Sequence, residues 1–145
     1  MAIRVSAETV IARPRDDVAA FASDPANDAA WIGGVVAAAM VSEPPMRAGS
    51  RVRRTATFLG RRFDYETEVT EWDPPASLAM RATSPFPMEI RYEFEPEGAG
   101  TRARVLVAGE GSGFFRPAEP LLARQVRGNI TKDLQRLKAL LESGR

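Results

Sequence analysis

The stretch Ala123-Arg124-Gln125-Val126-Arg127-Gly128-Asn129-Ile130-Thr131-Lys132-Asp133-Leu134-Gln135-Arg136-Leu137-Lys138-Ala139-Leu140-Leu141 decides the fold. Ala123, Val126, Ile130, Leu134, Leu137 and Leu141 recur at three- and four-residue steps, and at about 3.6 residues per turn they gather into one apolar stripe. Arg124, Arg127, Lys132, Gln135, Arg136 and Lys138 take the opposite side. The pattern predicts a helix from about Arg116 to Leu141. Pro117 and Pro120 fall near its start, where a missing N–H costs little. Such a helix cannot bury its stripe alone, so the chain upstream has to supply a broad apolar surface.

That surface reads as strands. From Thr101 to Glu110, Ala103, Val105 and Val107 share one face, and Gly109, Gly111 and Gly113 loosen the chain before Phe114-Phe115. Glu97-Gly98-Ala99-Gly100 is a hairpin turn by composition. Before it, Met88, Ile90, Tyr92 and Phe94 oppose Glu89, Arg91, Glu93 and Glu95. Leu78, Met80 and Ala82 alternate in the same way, after the break at Asp73-Pro74-Pro75. Phe63, Tyr65, Thr67 and Val69 face away from Asp64, Glu66, Glu68 and Thr70, the clearest in-and-out pattern in the chain. Val52, Arg54, Ala56 and Phe58 oppose Arg51, Arg53, Thr55 and Thr57. Val35 to Ser42 is apolar enough for a buried strand, although its alanines also permit helix. At the other end, Ile3, Val5, Ala7 and Thr9 mark a first strand.

Two short helical pieces separate that strand from the rest. The first follows Arg13-Pro14-Arg15-Asp16-Asp17, where proline and first-turn acids suit a helix start. Asp24-Pro25 stops it and begins the second, with Asp24 as N-cap and Trp31 near its end; Gly33-Gly34 then breaks the chain. The class is α+β: strand, two short helices, about six antiparallel strands and one long helix.

The 145 residues suffice for one domain, 1–145, with a sizeable core. Acidic and basic residues nearly balance at a formal charge of +1, so nothing favours nucleic acid or an anionic membrane surface as partner. Cysteine and histidine are both absent, which removes thiolate chemistry, zinc–thiolate sites, the usual neutral-pH base and the commonest metal ligand. No cofactor and no metal is implied. No segment approaches the roughly 20 apolar residues of a membrane span, so the chain reads as cytoplasmic. Monomer and homodimer both stay open.

The element order, Asp24-Pro25 between the short helices, Trp31 closing them, and Val69-Thr70-Glu71-Trp72-Asp73-Pro74-Pro75 leaving a long strand together resemble the START-like SRPBCC superfamily. Within it the resemblance is to the polyketide cyclase/dehydrase-like or lipid-transport-like group, and it covers essentially the whole chain. It implies a helix-grip fold, a seven-stranded antiparallel sheet curled around the long C-terminal helix with an apolar cavity between them. Members bind lipids, sterols, hormones or polyketides, and a minority catalyse aromatisation, cyclisation or dehydration. No shared catalytic motif exists to transfer, so no catalytic residue is assigned.

A cavity also follows from geometry. One helix of about 25 residues covers only part of a sheet of six or seven strands, leaving apolar volume unless bulky side chains fill it. Phe58, Phe63, Tyr65, Met80, Met88, Ile90, Tyr92 and Phe94 point inward and fill some of it, so a small pocket is expected. The candidate ligand-binding set is Trp31, Phe58, Phe63, Tyr65, Met80, Met88, Ile90, Tyr92, Glu119, Val126 and Ile130. Trp31 reads either as a gate at the mouth or, more in keeping with a lone tryptophan, as a core plug. Tyr65 and Tyr92 read as hydroxyls aimed at a ligand or as ordinary sheet packing. Arg54 is in phase with the inward residues, and its head is expected to snorkel out at the sheet edge; binding an acidic ligand is the other reading. Glu119 is either a carboxylate base with a raised pKa or a first-turn acid that suits the helix dipole. Asp133 and Asn129 flank the stripe as solvated positions. The favoured function is binding of a small, mostly hydrophobic molecule, lipid or polyketide-like, without chemistry. The alternatives are a cyclase or dehydratase using Tyr, Arg and a carboxylate, and a protein-binding module using Arg124 and Arg127.

Overall fold

The computed structural model describes residues 2–58, 60–84, 87–110 and 119–143. Strand β1 (Ala2–Ile11) leads into α1 (Arg15–Ala22), a 3-10 turn (Pro25–Asn27) and α2 (Asp28–Trp31). Six strands follow: β2 (Val35–Met40), β3 (Arg51–Phe58), β4 (Arg61–Asp73), β5 (Ser77–Ala82), β6 (Met88–Glu97) and β7 (Gly100–Glu110). The chain then forms the long helix α3 (Glu119–Ser143). The expected onset near Arg116, with Pro117, lies outside the described residues, as do Phe114 and Phe115.

All seven strands join one antiparallel sheet in the order β1-β7-β6-β5-β4-β3-β2. Consecutive strands from β2 to β7 are neighbours, the cheapest way to pair them, and β1 closes on β7. The hairpin between β6 and β7 needs Gly98 at φ +60°, the left-handed region that glycine enters without strain. Opposite it, a Cβ on Gly100 would stand 2.5 Å from the Ile11 carbonyl oxygen, so only glycine lets β7 begin this close to the end of β1. The outer face is held in register by ion pairs that cross strands. Glu8 takes Arg102 and Arg104, Arg104 also reaches Glu93, and Arg91 binds Glu71 and Glu93. Beside the β3–β4 hairpin, Arg51 pairs with Glu66 at 3.6 Å, and Asp64 accepts from Thr55.

Helix α3 packs chiefly along β1, while α2 touches both β2 at the far edge and α3, bridging the mouth of the curl. The C-terminal half of α3 is packed tight: Leu134, Leu137 and Leu141 are buried with Val5, Ile11, Leu78, Phe94 and Ala103 in one cluster. Full burial of a leucine side chain is worth about 2 kcal/mol, so this half anchors the helix. Asp24 caps the 3-10 turn as its sequence position predicts, its carboxylate accepting from the Ala26 N–H.

Candidate functional site

Exposure along the inward faces changes steadily from one end of the molecule to the other. On β3 it falls from half-buried Phe58 through Ala56 and Arg54 to fully buried Val52; on β4 it falls from Phe63 and Tyr65 to Thr67. On β6, Met88 and Ile90 are half-buried where Tyr92 and Phe94 are buried, and on β7 Val107 gives way to Val105 and Ala103. The Val52, Thr67, Phe94, Ala103 and Leu134 end is solid. The other end holds a partly open cavity of about 200 Å³.

This cavity is bordered by Trp31, Phe58, Phe63, Tyr65, Met80, Met88, Ile90, Tyr92, Val126 and Ile130. Ten of the eleven side chains singled out in the sequence are thus brought around one space; the Glu119 side chain lies outside the described residues. Leu122, Ile3, Val35, Val105 and Val107 add further apolar wall. Leu122 sits one turn before Val126, just ahead of a stripe counted from Ala123, and so escapes the sequence pattern.

Arg54 overturns the sequence expectation. It does not snorkel at the sheet edge: it is 4 % exposed, lines the cavity, and pairs with Asp28, itself 1 % exposed. Nε donates to Asp28 Oδ2 at 2.5 Å, Nη1 donates to Thr67 Oγ1 at 2.7 Å, and Nη2 lies 3.7 Å from Met80 Sδ. The reason is that β3 is not the edge strand: β2 flanks it, and α2 packs on β2 and brings Asp28 to the guanidinium, so the head meets a carboxylate before it meets solvent. Burial pushes the Asp28 carboxyl above its ordinary range, with Arg54 pulling it back.

Asp133 is likewise not a solvated flank. It is buried and lines the cavity, with Oδ1 accepting from the Gly33 N–H at 2.9 Å and from Arg136 Nη1 at 3.1 Å. Arg136 Nη1 also donates to the Trp31 carbonyl at 2.9 Å. Together these contacts tie the Trp31–Gly34 corner to α3. Burial raises the Asp133 carboxyl, against the lowering by Gly33 and Arg136. Asn129 is half-buried at the cavity wall rather than solvated.

Trp31 is 2 % exposed, so it is a wall and core residue and not a gate at an open mouth. Its ring meets Tyr92 edge-on with centroids 5.6 Å apart, and its indole N–H has no hydrogen-bond partner among the described residues. Burial raises the pKa of Tyr92 and of Tyr65, so both phenols keep their protons at neutral pH. Neither hydroxyl has a hydrogen-bond partner among the described residues. What the site offers chemically is therefore an apolar box with hydrogen-bond donors at one side and its two carboxylates already engaged. Among the described residues no group of His, Cys, Asp and Glu is placed to hold a metal.

A second depression, about 560 Å³, lies outside the sheet between α1 and the turns carrying Pro44, Pro45, Pro74 and Pro75, with Met40, Met46 and Trp72 in its wall. Six of its thirteen lining residues are exposed, and of its two acids, Asp16 and Asp24, Asp24 is engaged in capping. Polar groups converge on the inner cavity instead.

Solved structures share this architecture. TTHA0849 from Thermus thermophilus aligns at a TM-score of 0.82 with 23% identity, covering 98% of this chain and 99% of that one. The di-domain ARO/CYC BexL from the BE-7585A biosynthetic pathway aligns at 0.75 with 23% identity over 96% of this chain, which spans only 46% of BexL. Ara h 8.0201 aligns at 0.72 with 12% identity, covering 99% of this chain and 100% of that one. At such identities the likeness is one of fold, the helix-grip arrangement. No curated protein matches the chain. Among the described residues no helix is long and apolar enough to cross a membrane. The family model for polyketide cyclase / dehydrase and lipid transport matches residues 2–142, nearly the whole sequence, and the chain belongs to that family.

Proposed function

We propose that the chain binds a small, mostly apolar molecule, lipid or polyketide-like, between the sheet and the N-terminal half of α3. The observation that carries this is the partly open space of about 200 Å³ walled by Phe63, Met80, Ile90 and Val126, in a protein whose other end is solidly packed. At the packing density of protein interiors it holds on the order of ten heavy atoms, a one- or two-ring compound or a short acyl chain. Native mass spectrometry of the protein as purified tests this: a retained non-covalent adduct of that size, lost on adding Val126→Trp, is the expected result. Protein that carries no adduct and takes up none from a panel of aromatic and alkyl probes overturns it.

A cyclase or dehydratase draws support from one feature, the meeting of Arg54, Tyr65 and Tyr92 at the same wall, where a protonated phenol could polarise a substrate carbonyl. Binding is favoured over it because Asp28 and Asp133 are each paired with an arginine, so no carboxylate at this wall stands apart from a cation as a general base would.

A further inference from the structure

The polar wall of the cavity is unbalanced in a specific way. Arg54 carries five N–H groups, and three are directed at Asp28, Thr67 and the Met80 sulfur, which leaves two. Tyr65 and Tyr92 stand close enough to Arg54 to feel its charge, line the same cavity, and carry hydroxyls with no described partner. Spare donors therefore line the cavity. Of the nearby carboxylate oxygens, Asp28 Oδ2 is taken by Arg54 and Asp133 Oδ1 by Gly33 and Arg136, and the second oxygen of each adds acceptor capacity and negative charge to the same wall.

Charge, by contrast, is already balanced. A buried arginine with no acid would attract an anion strongly, but here Asp28 sits at 2.5 Å and neutralises the guanidinium. A ligand carboxylate entering the cavity would give up its water, gain Arg54 and meet repulsion from Asp28 behind it and Asp133 beside it. A neutral oxygen gives up much less and still takes the spare donors. A hydrocarbon takes none of them and leaves the phenols without partners.

We infer that the cavity selects an uncharged apolar molecule bearing a hydrogen-bond-accepting oxygen, a ketone, ester or amide carbonyl, over both the hydrocarbon and the carboxylate of the same skeleton. The donors are Tyr65, Tyr92 and the spare N–H groups of Arg54, and the Asp28–Arg54 pair sets the preference for a neutral head. This rests on the cavity being a ligand site, as proposed above, and goes further by naming the head group.

Three compounds of one size test it: 4-ethylacetophenone, 4-ethylbenzoate and 1,4-diethylbenzene, each titrated into the full chain at pH 7.5 by calorimetry and by amide chemical shifts. The ketone is expected to bind about tenfold more tightly than either of the others, the yield of one or two hydrogen bonds to otherwise unpaired donors. Tyr65→Phe and Tyr92→Phe, which keep the ring and its packing, are expected to erase most of that advantage by weakening the ketone and by strengthening diethylbenzene, which no longer strands a hydroxyl. If diethylbenzene binds as well as the ketone, or the benzoate binds best, the head-group assignment is wrong and the cavity remains a ligand site. If none of the three binds saturably and no shifts map to the cavity, the ligand site itself falls, and the assignment with it.

Discussion

Asp28 and Arg54 form the one charged pair in the described interior whose members are both almost fully covered, at 2 % and 5 % side-chain exposure. Such a pair contributes little net stability against a well-packed apolar replacement, yet removing one partner strands the other. Arg54→Met should therefore cost about 3–5 kcal/mol near neutral pH, and Asp28→Leu in the same background should recover much of that loss. The pH dependence gives the cause. Burial already raises Asp28, and Arg54 opposes it; without Arg54 the carboxyl moves further up. A group whose pKa is higher folded than unfolded contributes stability that is complete below its unfolded pKa and lost as pH rises through the folded one. The deficit of Arg54→Met should accordingly be small near pH 4, where Asp28 binds a proton and becomes neutral, and grow toward pH 7. Urea unfolding at both pH values checks this, and a deficit independent of pH would mean that lost packing, not stranded charge, explains it.

At the scale of the element, α3 is two helices in energetic terms. Leu134 and Leu137 are 1 % exposed inside solid core, whereas Val126 and Leu122 border empty space. Truncating a side chain costs its transfer energy and the void left behind, and the void is new only where none existed. Leu134→Ala should cost about 2–5 kcal/mol, and Val126→Ala under about 1.5 kcal/mol, as read from denaturant midpoints. Equal costs would mean that the cavity closes in solution. The stripe itself was legible because a period of three and four residues survives any tertiary context, and the period-two strands were legible for the same reason. Arg54 was not. Its inward phase was visible, but its partner lies 26 residues away on a four-residue helix, where Asp28 looks like any first-turn acid. Inward phase in a strand with apolar neighbours is the available signal, and by itself it does not distinguish a head that meets a buried acid from one that reaches water. Asp133 was hidden similarly, since its partner at Gly33 is a backbone N–H that no side-chain pattern reports.

Across the whole molecule, one sheet serves two purposes because it is gripped unevenly. The helix lies along β1, the short α2 bridges to β2, and the inward faces of the strands between become less buried toward the end marked by Phe58, Phe63, Met88 and Val126. Stability is concentrated at the solid end, where Val52, Thr67, Thr101 and Leu134 are almost wholly covered, while the hollow end gives up packing to keep space. A ligand adds contacts only at the hollow end, so its effect on local opening must be uneven even though it shifts global unfolding by RT ln(1 + [L]/Kd). Hydrogen exchange with saturating ligand should slow most for amides of the β3–β4 hairpin end, of Met88 to Ile90 and of the first two turns of the described helix. Amides beside Val52, Ala103 and Leu134 should slow only by the factor that global stabilisation sets, roughly a hundredfold at a hundred times Kd. Protection that instead rises equally along α3 would mean that the two ends open together, and the solid end could not then be the anchor that allows the other to stay hollow.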